Sequence, residues 1–342
     1  MLFNCTFDLC ILAYRGLQLP RDAPFELKPS PEKGWGVFAK NQIERGAVIL
    51  REKPLFVIRK PHTQITDQDI WIAFQELSPS QKQQFSCLRD NASGHFTSME
   101  NVLAENSFNL ATPDSAGARP NGPPAYGLFL LHSRFNHSCI PNSKVPIPDG
   151  EVIASFATRD IVAGEEITFC YNPDFEGRTR LERHQALRFA CDCQACLPGT
   201  SFQQLSDMRR RFIRGLQYLV HGVDLDGQRR SSDWPIIINP QLKRAAEAFS
   251  IPNSSRLIYS LLSVVLLEEE GLLDDFMVER VSPGLWTLAN SFWEEENATI
   301  ALLAMTQKTW LERLCLAFRL YGRGDTGDHE RTVRLRKLHE HS

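Results

Sequence analysis

Cys191-Asp192-Cys193-Gln194-Ala195-Cys196 constrains this chain more than any other stretch. Cysteines spaced Cys-x-Cys-x-x-Cys have metal-ligand spacing, and a closed structural zinc site takes four ligands. This cluster supplies three. A fourth has to come from elsewhere, so the fold must bring a distant segment back to this one. The other cysteines of the 342-residue chain, which has nine in all, are scattered. A chain this long needs no disulfide scaffold, so its cysteine usage points to a reducing compartment with metal on the cluster. The plain alternative is three free thiols in a loop.

Composition narrows the function classes. A net charge of -3 gives no general basic footprint for nucleic acid. The cysteine cluster also lacks a neighbouring basic and aromatic surface, which argues against a zinc-stabilised nucleic-acid binder. Apolar and charged contents of 42% and 23% are those of an ordinary globular chain, long enough for about two domains. The apolar run Leu9 to Tyr14 has no basic residue before it and is too short to span a bilayer. A buried element or a lead-in is expected there, and no later stretch reads as transmembrane.

Three further stretches carry chemistry. Arg134-Phe135-Asn136-His137-Ser138-Cys139-Ile140-Pro141-Asn142 packs two amides, an imidazole, a hydroxyl and a thiol into one run. Such a run suits neither a core strand nor an amphipathic helix face. It reads either as a turn with local Asn and Ser hydrogen bonds or as a loop whose polar groups meet a ligand. Gly164-Glu165-Glu166-Ile167-Thr168-Phe169-Cys170-Tyr171 reads as a turn and a short strand, with Tyr171 at its end. Glu165 and Glu166, being adjacent, would point apart and act structurally rather than as an acid/base pair. Lys33-Gly34-Trp35-Gly36-Val37-Phe38-Ala39 reads as a strand near a turn, with glycines where a ligand could lie against backbone.

Taken in order, these four stretches resemble the SET-domain protein lysine methyltransferases. The nearest group is the SET-and-MYND proteins and their relatives that lack the MYND finger. The resemblance covers about residues 25 to 199. It implies a mixed α+β fold: a SET domain of small β-sheets over 25–171 with a helical insert at about 60–126, and a zinc-binding post-SET segment over 172–199. A lead-in over 1–24 would precede these and an all-helical region over 200–342 would follow. Cys87 is the one cysteine of the insert, so the finger that interrupts this part of the SET-and-MYND proteins is not expected.

The resemblance also implies site roles. Lys33, Gly34 and Trp35 would touch S-adenosylmethionine through backbone, and the Trp35 indole would either stack on the cofactor or cover it. Asn136 and His137 would hold the cofactor through side-chain amide and backbone groups, with Ser133 a weaker candidate. Tyr171 would be catalytic, and Phe189 would pack on the cofactor and close the lysine channel. Leu187 stands where some relatives have a second aromatic. Cys139, with Cys191, Cys193 and Cys196, would complete a Zn2+ site that pins the tail over the cofactor loop. The expected activity is methyl transfer from S-adenosylmethionine to a lysine of a histone or non-histone protein, by a monomer in the nucleus or cytoplasm, without membrane or direct nucleic-acid binding. The alternative is a catalytically weak or inactive SET-fold interaction module.

The rest of the chain is read from its periodicity. Asp67 to Phe85, broken at Ser78-Pro79-Ser80, and residues 97–110 read as helices, and 112–124 as a loop. Thr179 to Leu187 reads as a helix with Arg180, Glu182, Arg183 and His184 on its polar side. Gln203 to Val220, Gln241 to Ala248, Ser254 to Glu269, Leu285 to Phe292 and Thr299 to Leu320 read as further helices. Arg209-Arg210-Arg211 and the basic Arg331 to Lys337 read as solvated surface.

Overall fold

The structure is a computed structural model that describes residues 16–31, 33–88, 98–110, 124–145, 150–187, 189–221, 225, 263 and 266–274. The helices expected over 241–248, 285–292 and 299–320 lie outside the described residues, as do the apolar run at 9–14, the basic run at 331–337 and all but the last residue of the 112–124 loop. Of the helix expected over 254–269, residues 263 and 266–269 are described and are helical. The chain divides into two units. One comprises Met1–His137 and Pro141–Phe169, the other Ser138–Ile140 and Cys170–Ser342.

The first unit is built on small sheets. Strands β1 (Phe25–Ser30) and β2 (Gly34–Ala39) form an antiparallel hairpin, with Ser30 opposite Gly34. Gly34 takes a φ of 77° where the chain leaves the turn, a left-handed backbone that favours glycine. β3 (Val48–Glu52) and β4 (Phe56–Ile58) follow. Helices α1 (Asp67–Gln75), α2 (Pro79–Phe85) and α3 (Met99–Asn106) come next. Thr66 with Asp69, and Ser78 with Gln81, form reciprocal capping boxes that start α1 and α2. Pro79 at the first turn of α2 explains why the expected run over 67–85 is two helices rather than one.

The insert is not purely helical. The helix expected over 97–110 stops at Asn106, and β5 (Ser107–Asn109) pairs with β6 (Tyr126–Leu128), which also pairs with β4. The reason is aromatic burial. The Phe108 ring meets Phe129 edge-on at 5.5 Å and stacks on Phe169 at 5.6 Å. Those contacts outweigh the further helical turn that residues 107–110 could make. Ile70, Phe85, Leu88, Val102, Leu103 and Leu128 form the core beneath the three helices.

β7 (Asn136–His137), β8 (Ser143–Lys144), β9 (Ile153–Ala157) and β10 (Glu166–Phe169) complete the unit. β9 alternates buried and half-buried positions, as a strand covered on one face should. One sheet runs β1-β2-β10-β7 and another β3-β9-β8. Phe25, Val37, Ile49, Phe135, Ile161 and Ile167 are buried between them. β7 pairs in parallel with β10, placing Asn136 opposite Thr168 and His137 opposite Phe169. So two residues of the polar run 134–142, read above as turn or loop, are strand.

A carboxylate fixes the turn that launches β7. Glu52 accepts the backbone N–H groups of Leu130, Leu131 and His132, each at 2.9 Å, and pairs with His132 Nδ1 at 2.8 Å. Glu52→Gln keeps only one carbonyl oxygen for these partners. It should cost about 2–3 kcal/mol, read as a lower urea midpoint with an unchanged slope.

In the second unit, a 3-10 turn over Pro173–Gly177 is capped by Asn172. It leads to α4 (Arg180–Leu187), the cysteine loop and α5 (Ser201–His221). Two expectations about charge are corrected here. Arg209 and Arg210 are fully buried, and both donate to Glu270, at 2.7 and 2.9 Å. Ser206, Arg209, Arg210 and Ile213 recur at helical spacing along one buried face of α5, so the helical period carries two of the three arginines inside. Arg183, expected on the polar side of α4, is also fully buried.

Candidate functional site

In the first unit the expected cofactor-side residues meet through one amide. Asn136 Nδ2 donates to the Trp35 carbonyl at 3.2 Å and to Glu166 Oε1 at 2.7 Å. Among the described residues no donor meets Asn136 Oδ1, so a carbonyl oxygen is what this side chain has left for a ligand. The Asn136 N–H groups tie β7 to β2 and β10. Lys33 Nζ lies 3.9 Å from Glu166 Oε2. Glu166, read as structural or solvated, thus joins the hairpin turn to β7.

Gly36 explains why the hairpin needs a glycine there. A Cβ would run into the Glu166 carboxylate and lie 2.9 Å from Asn136 Nδ2. The missing side chain makes room for the protein's own amide and carboxylate rather than for a ligand. Gly36→Ala should cost about 1–3 kcal/mol in thermal unfolding, because neither neighbour can move without breaking a bond that holds β7.

Trp35 is half-buried, and its side chain packs against the core around Val37 and Phe135. Ser133 Oγ donates to the Phe129 carbonyl at 2.5 Å and accepts from the Arg134 guanidinium at 3.2 Å, so its hydroxyl is spent on the turn. His137 is buried in the β7–β10 pair.

Asn142 was given no role in the sequence analysis and does as much as Asn136. It is buried, donates to Glu165 Oε1 at 2.9 Å and to the Glu166 carbonyl at 2.8 Å, and accepts the Thr168 N–H at 2.8 Å. Burial opposes the charge on Glu165. Hydrogen bonds from Arg159, Asn142 and the Val162 N–H outweigh it and hold the carboxyl below its ordinary range. The two glutamates do take different partners, as adjacency predicts. A second amide in the same run was the only signal for Asn142, because its partners lie more than twenty residues away.

In the second unit Cys139, Cys191, Cys193 and Cys196 come together, with their sulfurs all within 4.8 Å of one another. Cys139 Sγ and Cys196 Sγ are 3.6 Å apart. A tetrahedral zinc with sulfur at about 2.3 Å needs sulfurs about 3.8 Å apart, so this donor set fits a four-thiolate zinc site. The Cys196 and Leu197 N–H groups both donate to the Cys193 carbonyl, at 2.7 and 2.9 Å, which folds the Cys-x-x-Cys turn. Cys191 N–H donates to His184 Nε2 at 3.2 Å.

Thiols this close cannot ionise independently. Hydrogen bonds from Cys139, Cys191 and Cys193, aided by the Arg183 charge, hold Cys196 far below the usual thiol range, while sharing protons with the other three and burial push Cys139 up. Cys170 stands apart from the four. Burial raises its thiol to about 11, and it donates to the Asn172 carbonyl at 3.2 Å.

Tyr171 and Phe189 also lie in this unit, 46% and 45% exposed, with ring centroids 6.5 Å apart and nearly perpendicular. Leu187, at the position of the second aromatic of some relatives, packs on the cysteine cluster. An accessible phenol beside an aromatic edge can orient a cationic or amine-bearing group.

The chain is 30% identical over 193 residues to the histone-lysine N-methyltransferase set5 of Schizosaccharomyces pombe, covering 55% of each chain. It is 43% identical over 77 residues to the protein-lysine N-trimethyltransferase SMYD5 of Danio rerio, covering 21% of this chain and 19% of that one. It therefore spans about half the length of the first relative and about a fifth of the second. Among solved structures, the Neurospora SET domain protein DIM-5, a histone lysine methyltransferase, is 21% identical with a TM-score of 0.27 over 44% of this chain and 53% of that one. The family model of the SET domain matches residues 34–172, the stretch that runs from Gly34 through Asn136 and His137 to just past Tyr171. Residues 34–172 match the SET domain, and the proteins to which the chain is similar include protein-lysine methyltransferases named Set5 and SMYD5.

Proposed function

We propose that this chain is an S-adenosylmethionine-dependent protein-lysine N-methyltransferase, acting on a lysine of a histone or another protein in the nucleus or cytoplasm. The observation that carries the reading is the span of the SET-domain match, which includes Asn136, His137 and Tyr171 together.

When bound, S-adenosylmethionine supplies an electrophilic methyl group on a sulfonium. Asn136 would offer its carbonyl oxygen to an N–H donor of the cofactor, and the backbone of Lys33 to Trp35 would line it. The lysine must arrive as a neutral amine. A narrow apolar channel would disfavour the ammonium and lower its pKa, and the positive sulfonium nearby would push the same way. Tyr171 would orient the amine lone pair toward the methyl carbon and accommodate charge as it moves from sulfur to nitrogen. Cys139, Cys191, Cys193 and Cys196 would hold Zn2+ with all four positions filled, so the metal would be structural. It would fix the chain between His137 and Pro141 against the loop that carries Phe189.

The test is methyl transfer from radiolabelled S-adenosylmethionine into a cell extract by the purified chain, with cofactor binding followed by calorimetry. Labelled protein that requires the chain supports the reading. Binding without labelling would point to an interaction module, and folded protein that does neither would overturn the cofactor assignment.

A further inference from the structure

We propose that Arg183 is a positioning residue of the four-cysteine site: it donates to Cys196 Sγ, offsets charge on the sulfurs and so sets how tightly the site keeps its metal. The inference rests on the reading of that site as a zinc site and goes beyond its ligands.

Arg183 projects from α4 and is fully buried. A buried guanidinium must have its N–H groups and its charge answered. Nη1 donates to the Arg178 carbonyl at 2.6 Å, and Nη2 donates to the Ala195 carbonyl at 3.2 Å and to Cys196 Sγ at 3.3 Å. The carboxylate beside it answers little of the charge. Asp207 Oδ1 is 3.7 Å away and accepts the Arg180 N–H at 2.6 Å. The remaining anion in reach is the sulfur cluster. Four thiolates around a divalent cation carry two net negative charges, and a buried group of that kind needs cations and N–H donors around it.

Two other guanidiniums hold ligand backbone. Arg180 Nε donates to the Cys196 carbonyl at 2.8 Å, and Arg210 Nη2 to the Cys139 carbonyl at 2.9 Å. Their bonds fix geometry, whereas the Arg183 bond also reaches sulfur. Partners of this kind change metal affinity by about 10–100-fold.

The experiment compares zinc-loaded chains of all 342 residues. Release of zinc to a colorimetric chelator is timed in wild type, Arg183→Met, Arg183→Gln, Arg183→Lys and Arg214→Met. Arg214 of α5 pairs with Glu182 of α4 at 3.3 Å and controls for loosened packing. Arg183→Met should release zinc about tenfold faster or more. Arg183→Lys, which keeps the charge without the planar fork, should recover part of the loss. Arg214→Met should behave as wild type. In cobalt-loaded chains, losing the N–H donor should move the sulfur-to-metal charge-transfer band of Arg183→Met to lower energy, a shift that packing changes alone would not give. If Arg183→Met does not fold, Arg183→Gln, which keeps N–H donors but no charge, decides by the rate of zinc release. Wild-type release in the neutral variants that fold, with no band shift in a folded Arg183→Met, would overturn the role of Arg183 and leave the zinc reading standing. A wild-type chain that takes up neither metal would overturn both.

Discussion

Tyr171→Phe is expected to lower methyl transfer by about 10²-fold or more while leaving cofactor binding and folding intact. The substitution removes one oxygen and keeps the ring, so the edge-on contact with Phe189 survives. The side chain is nearly half exposed. Surface changes of that kind stay within about 0.5 kcal/mol, or roughly 2 °C in unfolding temperature. What is lost is the polar atom that would align the amine. Misalignment by a fraction of an ångström is enough for the expected drop, since the step depends on in-line placement of nitrogen, carbon and sulfur. The checks are initial rates of label incorporation at saturating cofactor, with calorimetry alongside. A phenylalanine variant that labels protein at the wild-type rate would remove Tyr171 from the reaction. One that has also lost cofactor binding would make it a cofactor residue.

The parts of this site legible in the sequence are those whose chemistry is local. The spacing of Cys191, Cys193 and Cys196 marks them as a cluster of metal-ligand type, and Thr66 and Ser78 declare the starts of two helices by their caps. Tyr171 and Cys139 stood out only through resemblance, because nothing near either residue sets it apart from an edge tyrosine or a stray thiol. The parts that were missed depend on partners far along the chain. Arg209 and Arg210 read as solvated because their carboxylate, Glu270, is some sixty residues away. Arg183 read as solvated because its neighbours on α4 are polar, while its real partners are carbonyls and a sulfur from other segments. That the Asn136 N–H groups also tie β7 to β2 and β10 was not legible, since their acceptors lie 101 and 30 residues away. For the arginines burial was decided by an acceptor outside their own helix. A rule that sends charge and amide groups to water fails where such an acceptor exists.

Cys139→Ala should have the largest effect on stability, because in the proposed zinc site Cys139 would be the ligand that closes the longest loop. It stands 57 residues before Cys196, and its sulfur lies 3.6 Å from that of Cys196. Structural zinc in small sites contributes about 10–16 kcal/mol. Losing even a third of that, about 4 kcal/mol, would lower the unfolding temperature by roughly 8–16 °C in a unit of this size. Zinc content, measured after dialysis, should fall from one ion per chain to well below it. Treating wild type with a strong chelator should give the same unfolding temperature as the variant, since both remove the same metal. The loss should also reach the cofactor. His137 is two residues before Cys139, so freeing Ser138–Ile140 loosens the exit of β7 and should weaken S-adenosylmethionine binding in calorimetry. The Arg210 bond to the Cys139 carbonyl survives the substitution and keeps this segment from detaching entirely. The variant should therefore remain folded at low temperature, with its defect appearing on heating. A Cys139→Ala chain that still holds one zinc through dialysis would show that the metal takes its fourth ligand from elsewhere, and the link between the metal and the Asn136–His137 strand would go with it.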